Sequence, residues 1–160
     1  MPSDFLTLVH RDHADLQLEL TQLLDPEASA VELRMALDGV RLGLTAHAEA
    51  EDIVLGMFDG IAMLTGLLRQ ARDAHLTQEA ALCALVGARP QTTSWRERAS
   101  HLRDLVADHA RQEERQLLPA LREYAPAQYA MLAGRFATER LRQLAMLQPS
   151  APMVLPAFAC

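Results

Sequence analysis

The chain has 160 residues, of which 50% are hydrophobic, 4% aromatic and 22% charged, with a formal net charge of −6. That length suffices for one domain with a sizeable core, and its inventory of Ala, Leu, Arg, Glu and Gln favours helices over strands. The acidic balance excludes a general nucleic-acid surface, and no apolar run approaches the ~18 residues that a bilayer span needs.

The N-terminal MPSDFLTLVHRDH lacks the basic-then-apolar layout of a signal peptide, so a cytoplasmic location is expected. Segment A runs from about Ser3 to Leu24 and ends at DPEAS, where Pro26 disfavours helix at Asp25. Segment B opens on the capping-box pattern Ser29-Ala-Val-Glu32 and continues to about Phe58, before the turn signal Asp59-Gly60. Segment C covers about Ile61 to Val86 and stops at GARP. It contains Cys83, and because the other cysteine is the terminal Cys160, no disulfide framework is expected. Segment D opens on a second capping-box pattern, Ser94-Trp-Arg-Glu97, and runs to about Tyr124, with a kink or early end predicted at Pro119. A fifth helix over about Ala127 to Leu147 precedes the proline-containing tail QPSAPMVLPAFAC.

Each of the four long segments carries an apolar stripe that advances by threes and fours, and each stripe is interrupted by histidine. In A the stripe is Leu6, Val9, His13, Leu16, Leu20 and Leu23; in B it is Leu37, Val40, Leu44, His47, Glu51, Val54 and Phe58. In C it is Ile61, Leu64, Leu68, Ala71, His75, then Gln78 or Glu79, Leu82 and Leu85. In D it is Trp95, Leu102, Val106, His109, Glu113, Leu117 and Leu121. The four histidines recur at nearly even intervals, so antiparallel packing with short loops brings His13, His47, His75 and His109 to one level. The expected fold is all-α: an up-down four-helix bundle over residues 1–124. Residues 125–160 add a C-terminal helix and tail packed on the same domain.

Three of these histidines have a glutamate four residues on: His47 and Glu51, His75 and Glu79, His109 and Glu113. Such a pair shares one side of a helix, and a single example is commonly a solvated pairing. Placed together on core stripes, buried imidazoles and carboxylates need a cation to balance them. Imidazole with carboxylate suits iron, manganese or zinc better than calcium or magnesium. The candidate metal ligands are therefore His13, His47, Glu51, His75, Glu79, His109 and Glu113. His10 lies on the flank of its stripe, His101 is expected at the surface, and Met35, Met57, Met63 and Met131 read as core filler. Glu114 is expected to face water.

The motifs DHADL around His13, HAEAED around His47, AHLTQEAAL around His75 and HARQEERQLLP around His109 resemble the hemerythrin-like, or HHE cation-binding, family over roughly residues 5 to 123. Ferritin-like di-iron bundles fit poorly, because they need Glu-x-x-His on two helices and this chain has none. The resemblance implies a four-helix bundle holding two non-haem irons bridged by carboxylates and an oxo or hydroxo group, with zinc or manganese as lesser alternatives. His13 and His47 would serve one iron, His75 and His109 the other, and Glu51 and Glu113 would bridge them. The chain departs from oxygen-carrying hemerythrins, which have a His-x-x-x-His pair on the third helix and Asp at the fifth position after the fourth-helix histidine. Here the third helix offers His75 with Glu79, and Glu113 stands at the fourth position. The implied function is binding of dioxygen, peroxide or nitric oxide for sensing, storage or detoxification, by a monomer or homodimer. A catalase- or oxidase-like di-iron enzyme and a metal-storage or structural metal module are the alternatives.

Overall fold

A computed structural model describes residues 4–148. Helix α1 spans Phe5–Gln22, α2 Ala30–Leu55, α3 Thr65–Val86 and α4 Thr93–Gln112. A π-helical turn, Glu113–Leu117, carries α4 without a break into α5, Leu118–Tyr124, and α6 follows at Pro126–Leu147. The described residues contain no strand. Ser3 and the tail beyond Gln148, with Cys160, lie outside them, and the expectation about a disulfide falls on that tail.

Local chemistry sets the helix ends. The predicted capping box at α2 is formed, with Ser29 N–H donating to Glu32 Oε2 (2.7 Å) and Glu32 N–H to Ser29 Oγ (3.3 Å). At α4 the cap is Thr92 rather than Ser94: Thr92 has the extended backbone a cap requires, and its Oγ1 accepts from Trp95 N–H at 3.1 Å. Between α2 and α3 two short 3₁₀ turns, Gly56–Phe58 and Ala62–Leu64, flank Gly60, whose φ of +92° is the left-handed conformation glycine adopts without strain. The kink expected at Pro119 is replaced by the π turn. Proline lacks the N–H that a regular helix would donate to the carbonyl of Arg115, and Pro119 instead sits in the first turn of α5.

The first four rods pack in cyclic order, α1 against α2 and α4, α3 against α2 and α4, while α6 lies along α2 and also touches α1. Their stripes form two apolar clusters. One is built by α1 to α4 and the turns that join them, without α6, and contains Leu16, Leu20, Leu37, Leu44, Leu85, Trp95 and Leu102. The other takes Phe5, Val9, Val54, Phe58, Leu68, Leu117 and Leu121 together with Tyr129, Leu132 and Phe136 of α6. Phe5 contacts the rings of Tyr129 and Phe136 edge-on at 6.1 and 5.6 Å. Phe5, not Leu6, heads the α1 stripe; Leu6 is 38% exposed. Three of the methionines expected in the core, Met35, Met63 and Met131, are exposed, and only Met57 packs against it. Each of the three falls off the stripe of its helix, where unbranched flexible side chains tolerate water.

Candidate metal centre

Between the two apolar clusters lies a polar layer. The imidazoles of His13, His47, His75 and His109 form a closed ring, with centroids 5.0 Å apart from His13 to His47 and 6.4 Å from His47 to His75. The circuit closes with 4.7 Å from His75 to His109 and 6.2 Å from His109 to His13. The ring follows the order α1, α2, α3, α4, as an up-down bundle with its histidines at one level requires. Glu51 and Glu113 enter it from α2 and the π turn, and all six residues are at most 6% exposed.

The inner atoms face one another. Glu51 Oε2 lies 3.0 Å from His75 Nε2, 3.5 Å from His109 Nε2 and 3.6 Å from His47 Nε2. Glu113 Oε2 lies 3.2 Å from His13 Nε2 and 3.8 Å from His109 Nε2. Yet His13 Nε2, His47 Nε2, Glu51 Oε1 and both oxygens of Glu113 are buried without a hydrogen-bond partner. Buried polar atoms are rarely left so, and five in one layer is the signature of donors arranged for a cation. Two overlapping sets, His13–His47–His109–Glu113 and His47–Glu51–His75–His109, each bring one ligand atom per residue within 4.8 Å of the others. Nitrogen and carboxylate oxygen are a donor set for a borderline transition metal.

The outer nitrogens are fixed by three further carboxylates. Asp12 Oδ2 accepts from His47 Nδ1 at 2.7 Å, Asp52 Oδ1 from His75 Nδ1 at 2.9 Å, and Glu114 Oε1 from His13 Nδ1 at 2.9 Å. Each follows or precedes an inner residue in sequence and reaches across to the histidine of the neighbouring helix. A carboxylate on Nδ1–H selects the tautomer whose Nε2 lone pair points inward, and it makes that nitrogen a better donor. Glu114 is thus half-buried and hydrogen-bonded to His13 rather than turned to water; it also accepts from the exposed His10 at 3.1 Å.

Burial and mutual contact shift the layer's ionisable groups in opposite directions. Burial pushes Glu113 well above the usual carboxylate range, and the charge of Glu51 pushes it further. Burial opposes ionisation of Glu51 too, but the adjoining Glu113 carboxyl and the donors His109 and His75 hold it well below that range. His75, although buried, is raised to about 10 by its bonds to Asp52 and Glu51. Burial lowers His109.

The structure therefore brings together six of the seven residues proposed from sequence. Glu79 is not among them: it is exposed on α3, and Gln78 takes the inward position, because one residue is a rotation of about 100° on a helix. Gln78 is buried one turn from His75, with both amide atoms unpartnered. Asp12 and Asp52 were missed as participants, although an acidic residue beside a ligand position was visible in each case. His101 is exposed, as expected.

The sequence profile of the hemerythrin HHE cation binding domain matches residues 1–121. No curated protein and no solved structure matches the chain. No helix among the described residues is long and apolar enough to cross a membrane. With a four-helix bundle, a buried His/Glu layer suited to a metal and a profile match over most of its length, the chain belongs to the hemerythrin HHE cation-binding family, extended by the helix α6.

Proposed function

We propose that the polar layer holds two non-haem irons and binds dioxygen or a related small ligand, such as peroxide or nitric oxide, for sensing, storage or detoxification. The observation that carries the reading is the set of five unpartnered inner atoms, on His13, His47, Glu51 and Glu113, within one buried layer of four histidines and two glutamates. His13 and His47 would hold one ion and His75 and His109 the other, with Glu51 and Glu113 shared between them. Two irons would supply electrons in pairs to a coordinated small oxidant. The protein's own contribution is to orient and to exclude. Asp12, Asp52 and Glu114 hold three imidazoles with Nε2 inward, and the apolar clusters on either side keep bulk water from the layer.

A cavity of ≈ 10 Å³ beside the layer is lined by Leu67, Gln70, Ala71, His109, Gln112, Glu113 and Leu117. That is room for about one water-sized molecule, which favours a small gas or peroxide over an organic substrate.

Metal analysis of purified protein, with its visible spectrum under air and after reduction, tests the reading. Two irons per chain and an absorption band that bleaches on reduction are expected. One zinc per chain and no visible absorption would sink it. Many turnovers with peroxide would place the protein among peroxide-decomposing enzymes rather than ligand carriers.

A further inference from the structure

Of the three outer carboxylates, Asp12 is the most enclosed, and it is the one held by α6. Its Oδ2 accepts from both His47 Nδ1 and Arg140 Nε at 2.7 Å, and its Oδ1 lies 2.5 Å from an Arg140 guanidinium nitrogen. The guanidinium is thus a two-pronged clamp on a carboxylate that is only 9% exposed. One turn earlier on the same face of α6, the Phe136 ring stands edge-on to His47, 5.8 Å between centroids. Asp52 and Glu114, by contrast, serve their histidines at the bundle's more exposed margins. Residues 136 and 140 both lie beyond the segment that matches the family profile.

We propose that Arg140 is a positioning residue of the metal centre, acting through Asp12 to fix the tautomer and orientation of His47, so that α6 completes the centre from outside the bundle. The proposal rests on the layer being a metal site but not on which small ligand that site takes. Its physical logic is sequential. Arg140 engages both oxygens of Asp12 and holds the side chain in one rotamer; with Arg140 N–H groups donating to it, the carboxylate accepts from His47 Nδ1–H, and Nε2 is presented to the layer. Arginine suits the task because its planar fork engages both carboxylate oxygens at once, which an ammonium cannot do. Phe136 blocks the space into which the His47 ring would otherwise swing.

The test is a double-mutant cycle on full-length protein, read as the anaerobic Fe²⁺ dissociation constant from competition with a chromophoric chelator. Arg140→Gln is expected to weaken Fe²⁺ binding about tenfold, the low end of what loss of an outer-shell partner costs. In an Asp12→Ala background, the same change should cost nothing more, because its intermediary is gone. A merely structural role for Arg140 would give additive losses. It would also leave unmoved the ¹⁵N resonances of His47 in the metal-free protein, which should change from one Nδ1–H tautomer to a mixture in Arg140→Gln. If Arg140→Gln does not fold, Arg140→Lys keeps the charge without the fork and should show a smaller loss of Fe²⁺ affinity in the same cycle. Unchanged affinity and an unchanged His47 tautomer, or additive losses, overturn the inference while leaving the metal centre standing. Wild-type protein that takes up no Fe²⁺ would overturn the metal centre and this inference with it.

Discussion

Trp95 and Glu113 lie on the same rod of the bundle and are buried alike, at 1% and 2% exposure, but their surroundings differ in kind. Trp95 belongs to a cluster of Leu, Val and Ala side chains with the Arg34 guanidinium over its ring, and its one polar atom is satisfied, Nε1–H donating to the Leu23 carbonyl at 2.9 Å. Glu113 has neither oxygen satisfied and an anionic neighbour in Glu51. The apolar clusters stabilise the fold by themselves; the polar layer is a cost that a bound cation offsets. Stability and metal affinity are therefore located in different layers of one bundle, and substitutions should separate them.

The largest effect is expected from Trp95→Ala, which should cost about 3–5 kcal/mol of unfolding free energy. The cost should be equal with and without metal in paired denaturant titrations; a cost that depends on metal would break the division between layers. Next, His109→Ala should abolish the rise in Tm that metal gives the wild type, about 2.7 kcal/mol of linkage at free metal 100 times Kd. Full metal content in His109→Ala would mean the ligand set is wrong. Glu113→Leu should act in the opposite direction on the two properties. It removes an unpartnered buried carboxyl, stabilising the metal-free protein by about 1–3 kcal/mol, while metal uptake falls. A metal-free Glu113→Leu protein less stable than wild type would show that the layer contributes to folding unaided. Smallest, Ser29→Ala should cost about 1 kcal/mol through the lost α2 cap and leave metal uptake unchanged.

The apolar stripes were legible because helical periodicity is local, and the level of the four histidines followed from antiparallel packing with short loops. Inner positions on those stripes, His13, His47, Glu51, His75, His109 and Glu113, were therefore found together. Residues beside the stripe were read less well. Asp12, Asp52 and Glu114 lie about 100° from it, which on an isolated helix means water. In a bundle that direction is the seam with the next rod, and a carboxylate there reaches the neighbour's histidine. Position 78 or 79 of α3 was ambiguous for the same reason, since a stripe step of three or four is decided by the partner helices. The Arg140–Asp12 pair joins residues far apart in sequence and could not be read from any local pattern.

The π turn has a consequence for the chain's tolerance of length changes. From His109 one line of buried positions advances by fours, through Glu113, Leu117, Leu121 and Ala125, with Ala110 and Leu118 buried beside it. In an unbroken α-helix each such step would rotate the buried side by about 40°, and the run would spiral out of the core. The wider turn at 113–117 takes up that drift, so the rod carries two angular phases, one set by the metal ligands and one by the apolar plug beyond them. A π turn carries one residue more than a turn of α-helix, so deleting one residue between 115 and 117 would restore regular α-helix and leave Leu118, Leu121 and Ala125 near their present angular phase, with His109 in place. Loss of one residue from the regular helix between Trp95 and His109, which rotates the two ends of the rod against each other by about 100°, should be far more damaging than loss of one between 115 and 117, although neither removes a ligand.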